Sequence, residues 1–332
     1  MRPTRRTVLA GAAATLALPG LVRADDVLNA IRSRAGGFSQ LNCLIVVKDG
    51  EWLIEDRFRG QNLDRPANIK SVSKTIVATL LGIAIDKGAV PSVDVTLGQI
   101  ATRLIPAAAD PRVRTITLED LVTLRAGLDR TSGPNYGQWV SSRNWVADAL
   151  SRPIVAKPGG QMLYSTGSTH VLGAALSQVT GRSLLDLARD WIGRPLDIQI
   201  PPWTRDPQGL YMGGNEMALS PRAMARFGEM VRQGGTWNGQ QVVSRDWIER
   251  SFTPVTRSPW SGLGYGYGWF TAETRGGRYA LARGYGGQVI AVAPEARITV
   301  AITSDPNLPA RSGGYFGDLM DLIENDILAP LT

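Results

Sequence analysis

Two polar residues interrupt an apolar stretch in this 332-residue chain. From Val72 to Ile85 the residues are apolar on nearly every face of a 3.6-residue period, which predicts a buried central helix, yet its first turn carries Ser71 and Lys74. Residues three apart share a helix face, so hydroxyl and amine point the same way. A serine hydroxyl becomes a usable nucleophile when a neighbouring base takes its proton. Lysine can be that base where burial disfavours its charged form. Backbone N–H groups at a helix start would also stabilise a developing oxyanion. A Ser-x-x-Lys spacing arises by chance about once in a chain of this length. The apolar setting gives it meaning here, as does the scarcity of lysine, five against thirty-one arginines. Asn68 is the expected cap and Lys87-Gly88 the expected stop.

Other chemistries are poorly supplied. The one histidine, His170, and the one cysteine, Cys43, are too few for a His-ligated zinc site. A Ser-His-Asp triad would need His170, and no Gly-x-Ser-x-Gly elbow occurs. A hydrolase built on this chain therefore takes its base from elsewhere, and His170 is read as a polar packing residue. Cys43 excludes an intramolecular disulfide and sits in a strand-like apolar run as a buried thiol. No cofactor and no metal are expected. Net charge is +7, falling to +3 without Arg2, Arg5, Arg6 and Arg23. So small and dispersed a charge predicts no nucleic-acid partner.

Those four arginines lie in residues 1–24, which read as an export signal. Paired Arg5-Arg6, an apolar core from Leu9 to Leu21 and Val22-Arg23-Ala24 as cleavage site point to the twin-arginine route. The apolar part is short for a membrane span. The mature chain is expected to begin near Asp25, periplasmic or secreted, with no stable membrane span and with its oligomeric state open. Asp26–Ala35 predicts a short helix. Asn42–Lys48 and Glu51–Phe58 predict two strands joined at Asp49-Gly50. Helical segments follow at 117–124, 142–151, 168–179, 183–192, 221–234 and 244–252, then strands at 265–271, 279–283, 288–293 and 298–303, and a closing helix at 313–328. Strands at both ends around a helical middle predict an α+β fold: one antiparallel sheet of about five strands flanked by helices, with a mainly helical lobe. The sheet lobe spans about 25–65 and 255–332, the helical lobe about 90–222, and residues 25–332 form one catalytic domain. The cleft is expected between the lobes, where the central helix begins.

With Ser71-Val72-Ser73-Lys74 in that setting, the chain resembles the serine beta-lactamase and penicillin-binding-protein superfamily, for which Ser-x-x-Lys is a signature. Within it the chain looks most like the class C beta-lactamase branch of carboxypeptidases and related esterases, including 6-aminohexanoate-dimer hydrolase-like proteins. Supporting matches are Thr117–Leu128 against a segment usually ending Thr-Ser-Gly-Leu, and Tyr164-Ser165-Thr166-Gly167 with Leu172-Gly173 against the Tyr-x-Asn motif. Leu219–Gly228, Gly235–Gly239 and Tyr265–Trp269 match the scaffold. The resemblance covers about residues 38–328 and implies the beta-lactamase/transpeptidase-like fold.

It also implies roles: Ser71 as the acylated nucleophile, Lys74 as its general base, and Tyr164 as the phenol moving a proton between nucleophile and leaving group. A nearby ammonium would stabilise the Tyr164 phenolate. The third motif, usually Lys-Thr-Gly or His-x-Gly, aligns with Tyr285-Gly286-Gly287. Its glycines would let substrate approach the strand edge, and the Gln288 and Ser71 backbone N–H groups would form the oxyanion hole. Two positions depart from the pattern. Thr166 replaces the usual Asn, and Tyr285 replaces the Lys that would pair with a beta-lactam carboxylate. The expected function is thus an exported serine hydrolase acting on a small-molecule ester or amide, with Thr166, Tyr285, Gly286 and Gly287 contacting substrate. A non-catalytic or slowly turning-over penicillin-binding-like protein that senses cell-wall fragments is the alternative. Trp139, Trp145, Trp203, Trp260 and Trp269 are candidates for lining the cleft or for packing.

Overall fold

A computed structural model describes residues 24–332 except Arg275 and Ser312. The expected export signal therefore lies outside the described residues but for its last position, which begins helix α1 (Ala24–Gly37). The Asp49-Gly50 turn joins β1 (Leu41–Lys48) to β2 (Glu51–Arg57) as expected, with both turn residues at positive φ. Two small ladders follow in sequence: β3 (Ala67–Asn68) on β4 (Ala218–Leu219), and β5 (Thr236–Trp237) on β6 (Gln240–Gln241). The C-terminal third supplies β7 (Thr256–Arg257), β8 (Gly264–Tyr265), β9 (Phe270–Thr274), β10 (Gly277–Gly284), β11 (Gln288–Ala293) and β12 (Ile298–Ser304).

These strands form one antiparallel sheet in the order β2-β1-β12-β11-β10-β9-β8-β7, so the two ends of the chain meet at the β1–β12 pair. The sheet has eight members instead of about five. Six are five residues or longer and two are two-residue strands at one edge. The run expected as one strand over 265–271 is broken because Gly268 folds back at φ 78 onto the central helix. There its carbonyl accepts from Thr75 Oγ1 at 2.7 Å, and a Cβ on Gly268 would meet Ala78 at 2.6 Å.

The strands are apolar on both faces because both are covered. Cys43, Ile45, Val47, Ile290, Val292 and Ala301 pack toward the helical lobe. Leu44, Val46, Val289, Ala291, Val300 and Ile302 pack against Ile31 of α1 and Phe316, Leu319, Ile323 and Ile327 of the C-terminal helix. Helix α2 (Ser73–Asp86) runs through the first of these cores with every residue from Ser73 to Ala84 buried. That burial is what the unbroken apolar run encodes. Lys87 and Gly88 close it, Gly88 at φ 71. The helical lobe carries the helix Thr166–Thr180, which starts two residues earlier than the sequence suggests and ends on Gly181 at φ 66. Among the described residues no helix is long and apolar enough to cross a membrane.

Candidate active site

Ser71 does not lie on α2. It sits on a tight 3₁₀ turn, Lys70–Val72, that leads into the helix. Asn68 is not the cap the sequence suggests, since Ile69 precedes this turn and Val72 precedes α2; its Oδ1 instead accepts from the Lys70 N–H at 2.9 Å and so steadies the start of the turn. The β3–β4 ladder and the Ile69 N–H to Met217 carbonyl bond (2.9 Å) hold the approach. Lys70 itself has φ 50, a left-handed conformation that costs a non-glycine residue about 1 kcal/mol. The end of β10 presses on the same turn: a Cβ on Gly284 would meet the Ile69 carbonyl at 2.4 Å. Glycine there lets strand and nucleophile turn touch.

From the first turn of α2, Lys74 reaches back to Ser71. Its Nζ lies 3.1 Å from Ser71 Oγ, 3.2 Å from Thr166 Oγ1 and 2.6 Å from the Gly214 carbonyl. The side chain is 2% exposed, and burial brings its pKa down to about 7. A neutral amine has two N–H donors and one lone pair. The Gly214 carbonyl and Thr166 Oγ1 take the donors, leaving the lone pair to accept the Ser71 proton.

Tyr164 stands just before the Thr166–Thr180 helix, with the Lys74 Nζ 4.9 Å from its ring centroid. Burial raises its pKa, while the neighbouring Ser71 hydroxyl and the Arg283 charge pull it part of the way back. The phenolate suggested by sequence is therefore not the state that burial favours; at neutral pH Tyr164 is a phenol. Among the described residues no hydrogen bond joins Lys74 Nζ to the Tyr164 hydroxyl, because the amine lies over the ring face.

Ser71, Tyr164, Thr166 and Tyr285 open into one cleft of ≈ 620 Å³. Thr166 is 4% exposed and Tyr285 53% exposed. Gly286, Gly287 and Gln288 do not line it. Gly286 (φ 81) and Gly287 (φ 94) make the β10–β11 turn, where side chains would strike the Asp305 carbonyl at 2.4 Å and the Tyr315 ring at 2.7 Å. Their need for glycine comes from packing on the far side of the sheet. Gln288 is fully buried, pairs with Gly284 in the ladder, and clamps Ser304 through both ends of its amide (2.8 and 3.1 Å). From this end of the sheet it is Gly284 and Tyr285 that line the cleft with Ser71.

His170 lies away from the cleft and is fully buried. Its Nδ1 accepts from the Gly213 N–H (3.3 Å), which leaves Nε2–H to donate to Asp206 (3.1 Å), and its ring packs edgewise on Trp139 and Trp145. Trp139, Trp145 and Trp203 form a satellite core and Trp269 belongs to the main one, so only Trp260 of the five reaches the cleft.

Sequence reasoning missed Lys70, Arg130, Ser132, Asn215, Glu216 and Arg283, all of which line the cleft. Asn215 and Glu216 had a signal in the preceding Gly213-Gly214 pair. A Cβ on Gly213 would meet the Thr169 carbonyl at 2.3 Å, so the pair brings this segment against the start of the Thr166–Thr180 helix. Arg283 lies over the Phe316 ring (3.4 Å), and burial lowers its pKa to about 10. Among the described residues no group of three or more His, Cys, Asp or Glu side chains could hold a metal.

Residues 32–321 match the Beta-lactamase family. The chain belongs to that family. A 6-aminohexanoate-dimer hydrolase from Paenarthrobacter ureafaciens is 24% identical over 245 residues, 68% of this chain and 60% of that protein, so the chain spans less than two thirds of its relative. Among solved structures, EstCE1, a hydrolase with promiscuous acyltransferase activity, superposes with a TM-score of 0.75 at 18% identity, covering 90% of this chain and 98% of that one. The octameric penicillin-binding protein homologue from Pyrococcus abyssi gives 0.70 at 19% identity, covering 91% and 78%. At these identities the likeness is one of fold. The beta-lactamase/transpeptidase fold thus carries, in this Beta-lactamase family member, a serine, a buried lysine and a tyrosine around one cleft.

Proposed function

We propose that this Beta-lactamase family chain is a serine hydrolase that cleaves a small-molecule ester or amide through an acyl-enzyme on Ser71. The observation that carries the reading is Lys74, an amine held near pKa 7 by burial with its nitrogen 3.1 Å from the Ser71 hydroxyl. Ser71 attacks the carbonyl carbon as Lys74 takes its proton. The oxyanion is held by the backbone N–H of Ser71 and that of Tyr285 at the cleft edge. Tyr164, a phenol beside Ser71, is one donor placed to protonate the leaving atom, the net proton coming from the Lys74 ammonium, and water then releases the acid. The relatives named as hydrolases support the reaction class. Labelling with a fluorophosphonate tests it: wild type gains one adduct and Ser71→Ala none. Equal labelling of the two removes Ser71 as nucleophile.

Thr166 and Tyr285, where the family pattern has Asn and Lys, favour esters and linear amides over beta-lactams. The same two positions motivate the second reading, a penicillin-binding-like protein that acylates once and stops. A panel of p-nitrophenyl acetate, a linear amide, a D-peptide and nitrocefin separates them, since a sensor gives one burst and no turnover. We further propose export by the twin-arginine route, with residues 25–332 as the mature single-domain enzyme in the periplasm or outside the cell. N-terminal sequencing of the exported protein checks this; an intact Met1 sinks it.

A further inference from the structure

We propose that the hydroxyls of Thr166 and Ser132 form a proton relay from Lys74 into the cleft, with Ser132 as a proton donor to the leaving group. This rests on the acyl-enzyme reading above and adds the class of substrate it serves, one whose leaving group is an alkyl alcohol or alkyl amine. Such groups depart only as they are protonated, whereas a nitrophenolate leaves unaided.

The relay is drawn by hydrogen bonds that leave little freedom. Thr166 Oγ1, buried at the start of its helix, has two partners, Lys74 Nζ at 3.2 Å and Ser132 Oγ at 3.0 Å. Ser132 Oγ in turn accepts from the Thr166 N–H at 2.9 Å and makes no other hydrogen bond among the described residues. Neighbouring bonds lock the loop to the helix: the Thr131 N–H donates to Ser165 Oγ at 3.1 Å, and the Gly167 N–H to Thr131 Oγ1 at 2.7 Å. When Lys74 is an ammonium its N–H points at Thr166, so the Thr166 hydroxyl must donate to Ser132. The Ser132 proton then has no acceptor among the described residues, and Ser132 lines the cleft.

Protons balance without any added reagent. Ser71 loses its proton to Lys74 as the C–O bond to the nucleophile forms. On collapse the bond to the leaving atom breaks and its electron pair stays with that atom, which takes the Ser132 proton. Ser132 takes the proton of Thr166, and Thr166 takes one from the Lys74 ammonium, which returns to a neutral amine. Tyr164 offers a proton beside Ser71, but Lys74 faces its ring and not its hydroxyl. The hydroxyl pair is the route that reaches the amine by hydrogen bonds.

The test uses the full mature chain and esters of one acid with p-nitrophenol, trifluoroethanol and ethanol, comparing kcat/KM for wild type, Ser132→Ala, Thr166→Val and Thr166→Ser. The ratio of p-nitrophenyl to ethyl ester rates is expected to rise at least about tenfold in Ser132→Ala and Thr166→Val, and to return close to wild type in Thr166→Ser. Equal losses on all three esters, or no loss on any, overturn the relay and leave the two hydroxyls as packing groups. Should Ser132→Ala fail to fold, the Thr166 pair decides, because the two variants differ in whether position 166 keeps its hydroxyl. Ser71→Ala is run alongside: activity surviving there defeats the acyl-enzyme reading itself, a separate outcome from failure of the relay.

Discussion

Lys70 and Glu216 meet across the floor of the cleft in a 3.1 Å ion pair, and both residues hold left-handed backbone, φ 50 and φ 68. Neither is glycine, so each conformation is held by its surroundings at a cost of about 1 kcal/mol. The pair is partly buried, and Glu216 also accepts from Asn68 Nδ2 at 2.6 Å. Asn68 Oδ1 accepts from the Lys70 N–H at the start of the turn that carries Ser71, so this carboxylate ties the nucleophile's turn to the Asn215-Glu216 segment. Glu216→Gln keeps an oxygen for Asn68 and removes the charge. It is expected to destabilise the protein by about 1 kcal/mol, with a larger fall in kcat than in stability as the Ser71 turn loosens. Thermal melts and steady-state kinetics measure the two; a loss of stability with kcat untouched would detach the pair from the nucleophile.

Lys74 sets two pH dependences of known sign. The free amine is the base, so kcat/KM should fall about tenfold per pH unit below its pKa of about 7 and level off above it. For stability, the folded pKa is depressed from 10.5 to about 7. Between these values the unfolded chain binds a proton that the folded chain does not, so stability rises with pH across that window, by at most about 1.4 kcal/mol per unit from this group. Lys74→Met is expected to lose activity, to melt higher at pH 7, and to lack that slope. Parallel melts at pH 7 and pH 9.5 give the comparison, and identical slopes for the two proteins would mean the amine is not buried as described.

Three basic side chains, Lys70, Arg130 and Arg283, line the cleft against one acid, Glu216. Arg130 lies over the Trp260 ring at 5.1 Å and is in no ion pair among the described residues. An anionic group on the substrate is the natural counter-charge at this rim. Esters of a dicarboxylic acid are expected to show a lower KM than neutral esters of equal length. Arg130→Ala should raise KM for the acidic ester by roughly five- to twentyfold and leave the neutral ester much less affected, an effect that salt should weaken. Equal KM shifts for both esters would assign Arg130 to packing.

The central helix, the Ser71–Lys74 pair and the meeting of both chain ends in one sheet were legible because each is written in local pattern: an unbroken apolar run, a three-residue spacing, alternation bounded by turns. Misplaced positions depend on what another segment does. Gly286, Gly287 and Gln288 read as a strand edge open to substrate, yet the loop at Asp305 and the helix bearing Tyr315 pack against that side of the turn, so those glycines answer to packing. Ser132 and Thr166 lie 34 positions apart and meet only because Thr131 and Ser132 cap the start of the helix. No period or motif joins them. The low pKa of Lys74 was legible as a possibility from its apolar neighbours, while the phenol state of Tyr164 was not, since it depends on how deeply the ring is enclosed.

Gly284 is the point where strand and nucleophile turn touch, and it gives the most local test of the cleft. Its backbone lies at negative φ, so alanine is conformationally allowed, but the added Cβ would meet the Ile69 carbonyl at 2.4 Å and the Lys70 Cβ at 3.2 Å. Neither obstacle is the free end of a side chain, so strand and turn must separate by several tenths of an ångström. Ser71 follows that turn and Tyr285 follows that strand, so the two backbone donors proposed for the oxyanion would move apart. Losing one such donor costs about 10²–10³ in kcat. Gly284→Ala is therefore expected to lower kcat by about that factor with KM changed far less, and to destabilise the fold by only about 1–3 kcal/mol. Gly181→Ala, at a helix end remote from the cleft and strained at φ 66, serves as the control that loses stability without losing kcat. Were Gly284→Ala to turn over as fast as wild type, the donors would have to lie elsewhere than at the junction of this strand and turn.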